Sequence, residues 1–324
     1  MATLKDVAKR VGVSTATVSY VLSGRRSISA EVKKKVLAAI KELDYQPNRK
    51  AQGLRTGQSN LIGMLLPDLT KPYFPNLAQQ VEYAARKAGF AVLLIDCQTD
   101  KREQEDGFNV LSQQAVDGII WFPLDDSIPK SFGKVKCPVV LIDTTLPGYD
   151  TVKCDFNRGG HLQVEEALKY GHQRIGLLSG PQSIESARDR RNAVLEAMKG
   201  KLELAWEVEV PFHTDLNDKA IKALKKQTAT AVICADDLVA IGAIKALKNL
   251  GLSVPGDVSV IGFDDIPWST LVEPMVTTVA QPISAIGSEA VSMLIQKIQT
   301  PDKPTRTVIL DVGFTHREST AEVK

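Results

Sequence analysis

A chain of 324 residues is too long for one ordinary small domain, and at 44% hydrophobic it has the balance of a soluble globular protein. Its longest strongly apolar stretches, such as Phe90 to Ile95, are far too short to cross a bilayer, and the Met1 to Asp6 segment has no apolar signal core. The net charge of +2 hides an asymmetry: residues 1–60 hold 12 Lys or Arg against 4 Asp or Glu, and the rest hold 28 against 34. A basic head on an acidic body points to a polyanion partner for the head, or to no more than a basic solvated surface. The four cysteines, Cys97, Cys137, Cys154 and Cys234, form no C-x-x-C pair and each sits in an apolar run. They are expected to be buried thiols of a reducing, cytoplasmic compartment.

In chain order, Thr3 to Asp6 is the first helix start, with the Thr3 oxygen placed to accept from the amide of residue 6. Leu4, Val7, Ala8 and Val11 follow at helical spacing, and Gly12 supplies the stop. Ser14 caps a second helix, Thr15 to Leu22. Two short helices joined by a tight glycine turn predict a helix-turn-helix, with Ala8 small enough for a close crossing and Val18 packing back. A third helix, capped by Ser29 and running to about Asp44, closes the core with Val32, Val36, Ile40 and Leu43. Thr15, Ala16, Ser19 and Tyr20 are expected on the exposed face of the second helix. Short hydroxyl and methyl groups suit close approach to base edges, and Tyr20 reaches further.

These segments carry a resemblance. Thr3 to Ala8, Gly12 to Ser19, Leu43 to Asn48, and Gly262-Phe263-Asp264-Asp265-Ile266-Pro267 resemble the LacI/GalR family of regulators, and the likeness runs over nearly the whole chain. It implies a homodimer on a near-palindromic operator, with DNA contacts from Thr3, Ser14, Thr15, Ala16, Ser19, Tyr20, Asn48, Leu54 and Arg55. The run Arg49 to Arg55 is similar to the family's hinge helix, in which the residue matching Leu54 wedges into the minor groove. Pro47 favours a first helical turn, but the segment is short and contains Gly53. A helix there is marginal alone and is expected to fold when held by DNA and a partner subunit.

Beyond residue 60, short apolar runs alternate with amphipathic stretches. Strands are predicted at Leu61–Leu66, Ala91–Asp96, Gly118–Phe122, Val139–Asp143, Ile175–Ser179, Ala231–Ala235 and Val258–Phe263. Helices are predicted at Phe74–Ala88, His161–Tyr170, Ala187–Met198 and Leu238–Leu250, among others. This is the rhythm of doubly wound parallel sheets, with too many strands for one small sheet. The expected organisation is a helix-turn-helix head at 1–46, a hinge and linker at 47–59 and a two-lobed α/β effector and dimerisation body at 60–324. By resemblance the body is periplasmic-binding-protein-like, with a first lobe at about 60–156 and 281–308 and a second at about 157–280 and 309–324.

No dinucleotide fingerprint, phosphate loop or nucleophile elbow is present, and His161, His172, His213 and His316 lack metal-ligand spacing. No catalytic residue, metal or cofactor is therefore assigned. An enzyme would need a nucleophile or cofactor site that the sequence lacks, and a transport binding protein would need export and no DNA-binding head. Ligands of open α/β sheets sit beyond the C-terminal strand ends, which selects Tyr73, Phe74, Asp96, Asp143, Asp236, Asp237 and Asp264. The resemblance supports Tyr73, Phe74, Asp143, Arg190, Phe212, Asp236 and Asp264 as lining an effector cleft, although the family often has Asn where this chain has Asp236. Carboxylates, a guanidinium and aromatic faces suit a sugar first and a nucleobase or nucleoside second. Trp121 and Trp268 could line the cleft or pack in the core.

Overall fold

The computed structural model describes residues 2–23, 26–45 and 58–323. It divides into two compact units, Met1–Ser59 and Asn60–Lys324.

The head is three helices, α1 (Leu4–Val11), α2 (Thr15–Ser23) and α3 (Ala30–Glu42). The Thr3 hydroxyl accepts from the Asp6 amide, and the Asp6 carboxylate accepts from the Thr3 amide at 2.8 Å. This closes a reciprocal cap on donors that a helix start otherwise leaves unpaired. Gly12 ends α1 at φ +75°, a conformation that penalises any Cβ, and its N–H reaches the Ala8 carbonyl at 2.9 Å. The Ser14 hydroxyl accepts from the Thr17 amide at 3.1 Å and starts α2. Val7, Ala8, Val18, Val21, Val36 and Ala39 form the core, with Val32, Ile40 and Leu43 against its edge. An exposed Arg10–Glu42 pair at 3.0 Å joins α1 to α3.

The body contains two six-stranded sheets. The first has the order β11-β5-β4-β3-β1-β2, from Thr307–Leu310, Asp150–Cys154, Val139–Ile142, Gly118–Trp121, Leu61–Leu66 and Ala91–Asp96. The second has the order β12-β10-β9-β8-β6-β7, from Gly313–Thr315, Thr277–Ala280, Ser259–Asp264, Ala231–Cys234, Arg174–Ser179 and Glu203–Glu209. Every pairing is parallel except β10 with β12. The helices are α4 (Tyr73–Lys87), α5 (Lys101–Gln113), α6 (Phe156–Lys169), α7 (Glu185–Met198), α8 (Asp218–Lys225), α9 (Asp237–Asn249) and α10 (Ile283–Gln299). The chain passes between sheets after β5, after β10 and after β11, so three crossings join the lobes. Beside these crossings Phe156, Val279 and Val312, with Leu238, Phe263 and Ile266 of the second lobe, share one apolar cluster with Ile62, Met64 and Tyr73 of the first lobe. Helices α6 and α7 lie close because Gly160 has no side chain; a Cβ there would meet the Val194 amide nitrogen at 2.8 Å.

Five strands, β5, β7, β10, β11 and β12, are absent from the sequence expectation. β5 and β10 bury polar residues, so the apolar signal is diluted: Thr277 and Thr278 are fully buried, and Thr278 donates to Asp237 at 2.6 Å. β7 and β11 are edge strands with only partial burial, and β12 is three residues long.

Candidate functional site

On the head, Thr3, Ser14, Thr15 and Ala16 are exposed and Tyr20 is half-buried, with the Arg26 guanidinium 5.1 Å from its ring centroid. Ser19 departs from expectation. It is buried at 9% exposure, because it follows Val18 on the side of α2 that packs on the core. Asn48, Leu54 and Arg55, with the whole expected hinge helix, lie outside the described residues.

In the body, the C-terminal strand ends of both sheets open onto one cavity of about 90 Å³. Pro67, Lys71, Pro72, Tyr73 and Phe74 follow β1, Thr99 follows β2, and Phe122, Pro123 and Leu124 follow β3. From the second lobe come Ile184, Ser186 and Arg190 of the α7 start, then Phe212, Asp236, Leu238, Asp264 and Ile266. Six of the seven expected cleft residues are thus brought together. The volume admits roughly six to nine waters, room for one sugar ring or one base.

One wall is aromatic, with Tyr73, Phe74 and Phe122 in edge-to-face contact at centroid distances of 5.1 to 6.2 Å. The opposing group is Arg190, which is 7% exposed. Its Nη1 donates to the Ala235 carbonyl at 2.7 Å and to Asp264 Oδ1 at 2.9 Å, and its guanidinium lies 4.1 Å over the Phe263 ring. Asp264 Oδ1 also accepts from Gln281 Nε2 at 2.6 Å, and Gln281 Oε1 accepts from Tyr73 Oη at 3.2 Å and from the Cys154 thiol at 2.8 Å. A single glutamine at a chain crossing therefore ties residues of both lobes to the buried ion pair. Asp264 holds φ +119°, a conformation rarely adopted by residues with side chains; such strain clusters where geometry serves a ligand. Asp236 Oδ1 caps α9 by accepting from the Val239 amide at 2.7 Å, as a carboxylate at a helix N-terminus does. Burial, with the neighbouring Asp264 charge, lifts the Asp236 carboxyl to about 7.

Asp143 is the exception among the expected cleft residues. It is 1% exposed, stands outside the cavity lining, and neither carboxylate oxygen has a hydrogen-bond partner. Burial lifts its carboxyl to about 7, with Arg190 opposing and Asp264 adding to the rise. Asp96 accepts from the amides of Leu69 and Gln98 and shapes the loop after β1. Asp237 is wholly buried, accepting from the Ile266 amide and the Ser269 and Thr278 hydroxyls. Trp121 is core, donating Nε1–H to Gln104 at 3.1 Å, and Trp268 is 43% exposed and outside the cavity. His172 is buried beside the Thr230 hydroxyl at 3.1 Å, and His316 meets Glu166 at 2.7 Å. Gln281, Lys71, Phe122 and Ser186 were not singled out in the sequence as site residues. Only Phe122, ending a predicted strand, carried a usable signal.

Among the described residues, no cluster of His, Cys, Asp or Glu could hold a metal ion, and no helix is long and apolar enough to cross a membrane. Cys97, Cys154 and Cys234 are buried free thiols, and Cys137 is half-buried.

Residues 3–48 match the model for bacterial regulatory proteins of the lacI family, and residues 164–320 match the periplasmic binding protein-like domain. The chain is 33% identical to a ribose operon repressor of Halalkalibacterium halodurans, over 99% of this chain and 97% of that one. It is also 33% identical to the HTH-type transcriptional repressor PurR of Proteus mirabilis, over 99% and 98%. Among solved structures, the lac repressor dimer bound to operator and the anti-inducer ONPF matches with a TM-score of 0.86 at 29% identity, covering 99% of both chains. A LacI-family regulator from Enterococcus faecium with bound ribose matches with a TM-score of 0.72 at 29% identity, covering 82% of this chain and all of that one.

Proposed function

The chain belongs to the lacI family of bacterial regulatory proteins, DNA-binding transcription regulators that answer to a small molecule, and on that premise we propose that its effector is a neutral monosaccharide bound between the lobes. The observation that carries this reading is the donor and acceptor balance of the cavity. Asp236 and Asp264 each commit one oxygen to the protein and have a second oxygen available to a ligand. A ligand filling this space meets carboxylate acceptors beside donors from Lys71, Ser186 and Arg190, a mixture that vicinal hydroxyls satisfy as both donors and acceptors, with Phe74, Phe122 and Phe212 covering its apolar edges. The ribose operon repressors among the relatives, and the neighbour with bound ribose, support a pentose. The aromatic wall equally suits a planar base, so a nucleobase or nucleoside stays the second reading.

In this reading the protein is a cytoplasmic homodimeric repressor on a near-palindromic operator. Thr3, Ser14, Thr15, Ala16 and Tyr20 contact DNA directly, joined by Asn48, Leu54 and Arg55 of a hinge at 47–59, with Leu54 as the minor-groove wedge. Tyr73, Phe74, Arg190, Phe212, Asp236 and Asp264 hold the effector, with Asp143 supporting them. Calorimetric titration with D-ribose, D-xylose, D-glucose and adenine tests it. Saturable binding of one of the sugars, lost in Asp236→Ala, is the expected result; binding of adenine alone overturns the sugar assignment.

A further inference from the structure

The start of α7 does two jobs at once. Ile184, Ser186 and Arg190 point into the cavity, while Glu185, Arg188 and Asp189 of the same turns reach across to the first lobe. Lys153 of β5 contacts Glu185 at 3.3 Å and Asp189 at 3.0 Å. The other Glu185 oxygen accepts from the Thr145 amide at 2.8 Å. Arg188 meets Asp126, in the loop after β3, at 2.6 Å, and the Asp126 amide donates to the Ser183 carbonyl at 3.2 Å. Arg188 is preset for this by donating from the same Nη1 to the Gln182 carbonyl at 2.9 Å.

Apart from the Arg188–Gln182 bond, which lies within the second lobe, these contacts join the two lobes, and all of them radiate from residues 183–189 of the second. They reach the first lobe at three successive strands, β5, β4 and β3, so they extend along the sheet away from the crossing edge at β5 and β11. Motion of one lobe about the crossings must break them. Lys153 is only 17% exposed and Glu185 19%, so this part of the network is shielded from solvent, whereas Arg188–Asp126 lies nearer the surface at 35% and 49%. A single exposed pair biases an equilibrium by up to about fivefold, and a shared network anchored on one rigid helix adds to that.

We propose that the first turns of α7 form an ionic latch, Lys153 to Glu185 and Asp189 and Asp126 to Arg188, that sets the angle between the lobes independently of any effector. Because Ile184 and Ser186 line the cavity from the same turns, an effector that displaces them acts on the latch directly. Arg188, Glu185 and Lys153 are thus positioning residues for the switch, which do not touch the effector themselves. This extends to the lobe geometry alone and holds whichever ligand the cavity takes.

The test uses the full chain without effector. Nitroxide labels are placed at K134C in the first lobe and K219C in the second, both exposed lysines, in a C137S background, and labelled chains are diluted with unlabelled ones. Pulsed electron spin resonance then gives the distance between lobes. The expected wild-type result is one narrow distribution. K153A with R188A should shift and broaden it by several ångströms, while the charge exchange D126R with R188D should return that pair's share of the shift relative to R188D alone. Thermal melting separates this from unfolding. Should the alanine variants fail to fold, K153M with R188M, which keep the side-chain length without the charge, take their place and are expected to show the same shift. An unchanged distribution in the folded variants overturns the latch.

Discussion

At the scale of single residues, the cavity is defined by buried charges whose partners decide their roles. Asp143 has no hydrogen-bond donor on either oxygen, and burial holds its carboxyl at about 7 against an ordinary 3.8. The folded protein therefore binds a proton that the unfolded chain releases between those values. Stability falls as pH rises from the ordinary carboxylate range to about 7, and is level above it. Asp143→Asn, which also tolerates the φ of +57° found there, is expected to flatten part of this decline and raise the melting temperature at about pH 8. Melting curves from about pH 5 to 8 read it directly, and Asp236, Asp237 and Asp264, whose carboxyls burial also raises, contribute to the rest of the decline. Arg190 carries the opposite lesson. Its pairing with Asp264 is nearly buried, so Arg190→Ala leaves a carboxylate without its cation and should cost about 3–5 kcal/mol in denaturant unfolding, besides abolishing effector binding. A double-mutant cycle adding Asp264→Leu should recover part of that loss, and strict additivity of the two changes would show that the pair is not coupled. The types and approximate places of these residues were legible because strand ends announce themselves as apolar runs stopping at Asp. The Gln281 link was not legible, since a glutamine gives no sign of which of two lobes it will join.

At the scale of elements, turn and cap chemistry was the most readable signal. The Thr3 cap, the Gly12 stop and the Ser14 and Ser29 starts all lie where short-range rules put them, because each depends on a handful of adjacent atoms. Gly12 has open space around its missing Cβ, so Gly12→Ala adds only the backbone penalty of about 1–2 kcal/mol. The expected result is a lower melting point for the head with that of the body unchanged, seen as a separated first transition in calorimetry. Strands β5 and β10 were hidden for the converse reason. Their polar side chains are satisfied by residues far away in sequence, as the Thr277 hydroxyl is by the Thr320 hydroxyl and the Arg317 amide, and no local window contains those partners. The burial of Ser19 is of the same kind, since it depends on how α2 is turned against α1 and α3.

At the scale of the whole molecule, the division of charge separates the two tasks. With the basic excess confined to residues 1–60, operator affinity is expected to fall steeply with salt, by about 10³–10⁵ between about 50 and 200 mM for six to ten phosphate contacts. A flat salt response in an electrophoretic shift series would detach the basic head from DNA binding. Effector affinity should shift far less over the same range, because Arg190 and Asp264 are shielded. The order of the sheets has a further consequence for how the molecule is made. The first unit is complete by residue 59, but the outer strand of the first sheet comes from Thr307–Leu310 and that of the second from Gly313–Thr315. A ribosome adding about 5–20 residues per second thus spends roughly ten to fifty seconds on a nascent chain that carries a reader of DNA and no finished sensor. Any prematurely terminated product shares that imbalance. Such fragments carry the head without the effector cavity, so they would be deaf to the effector.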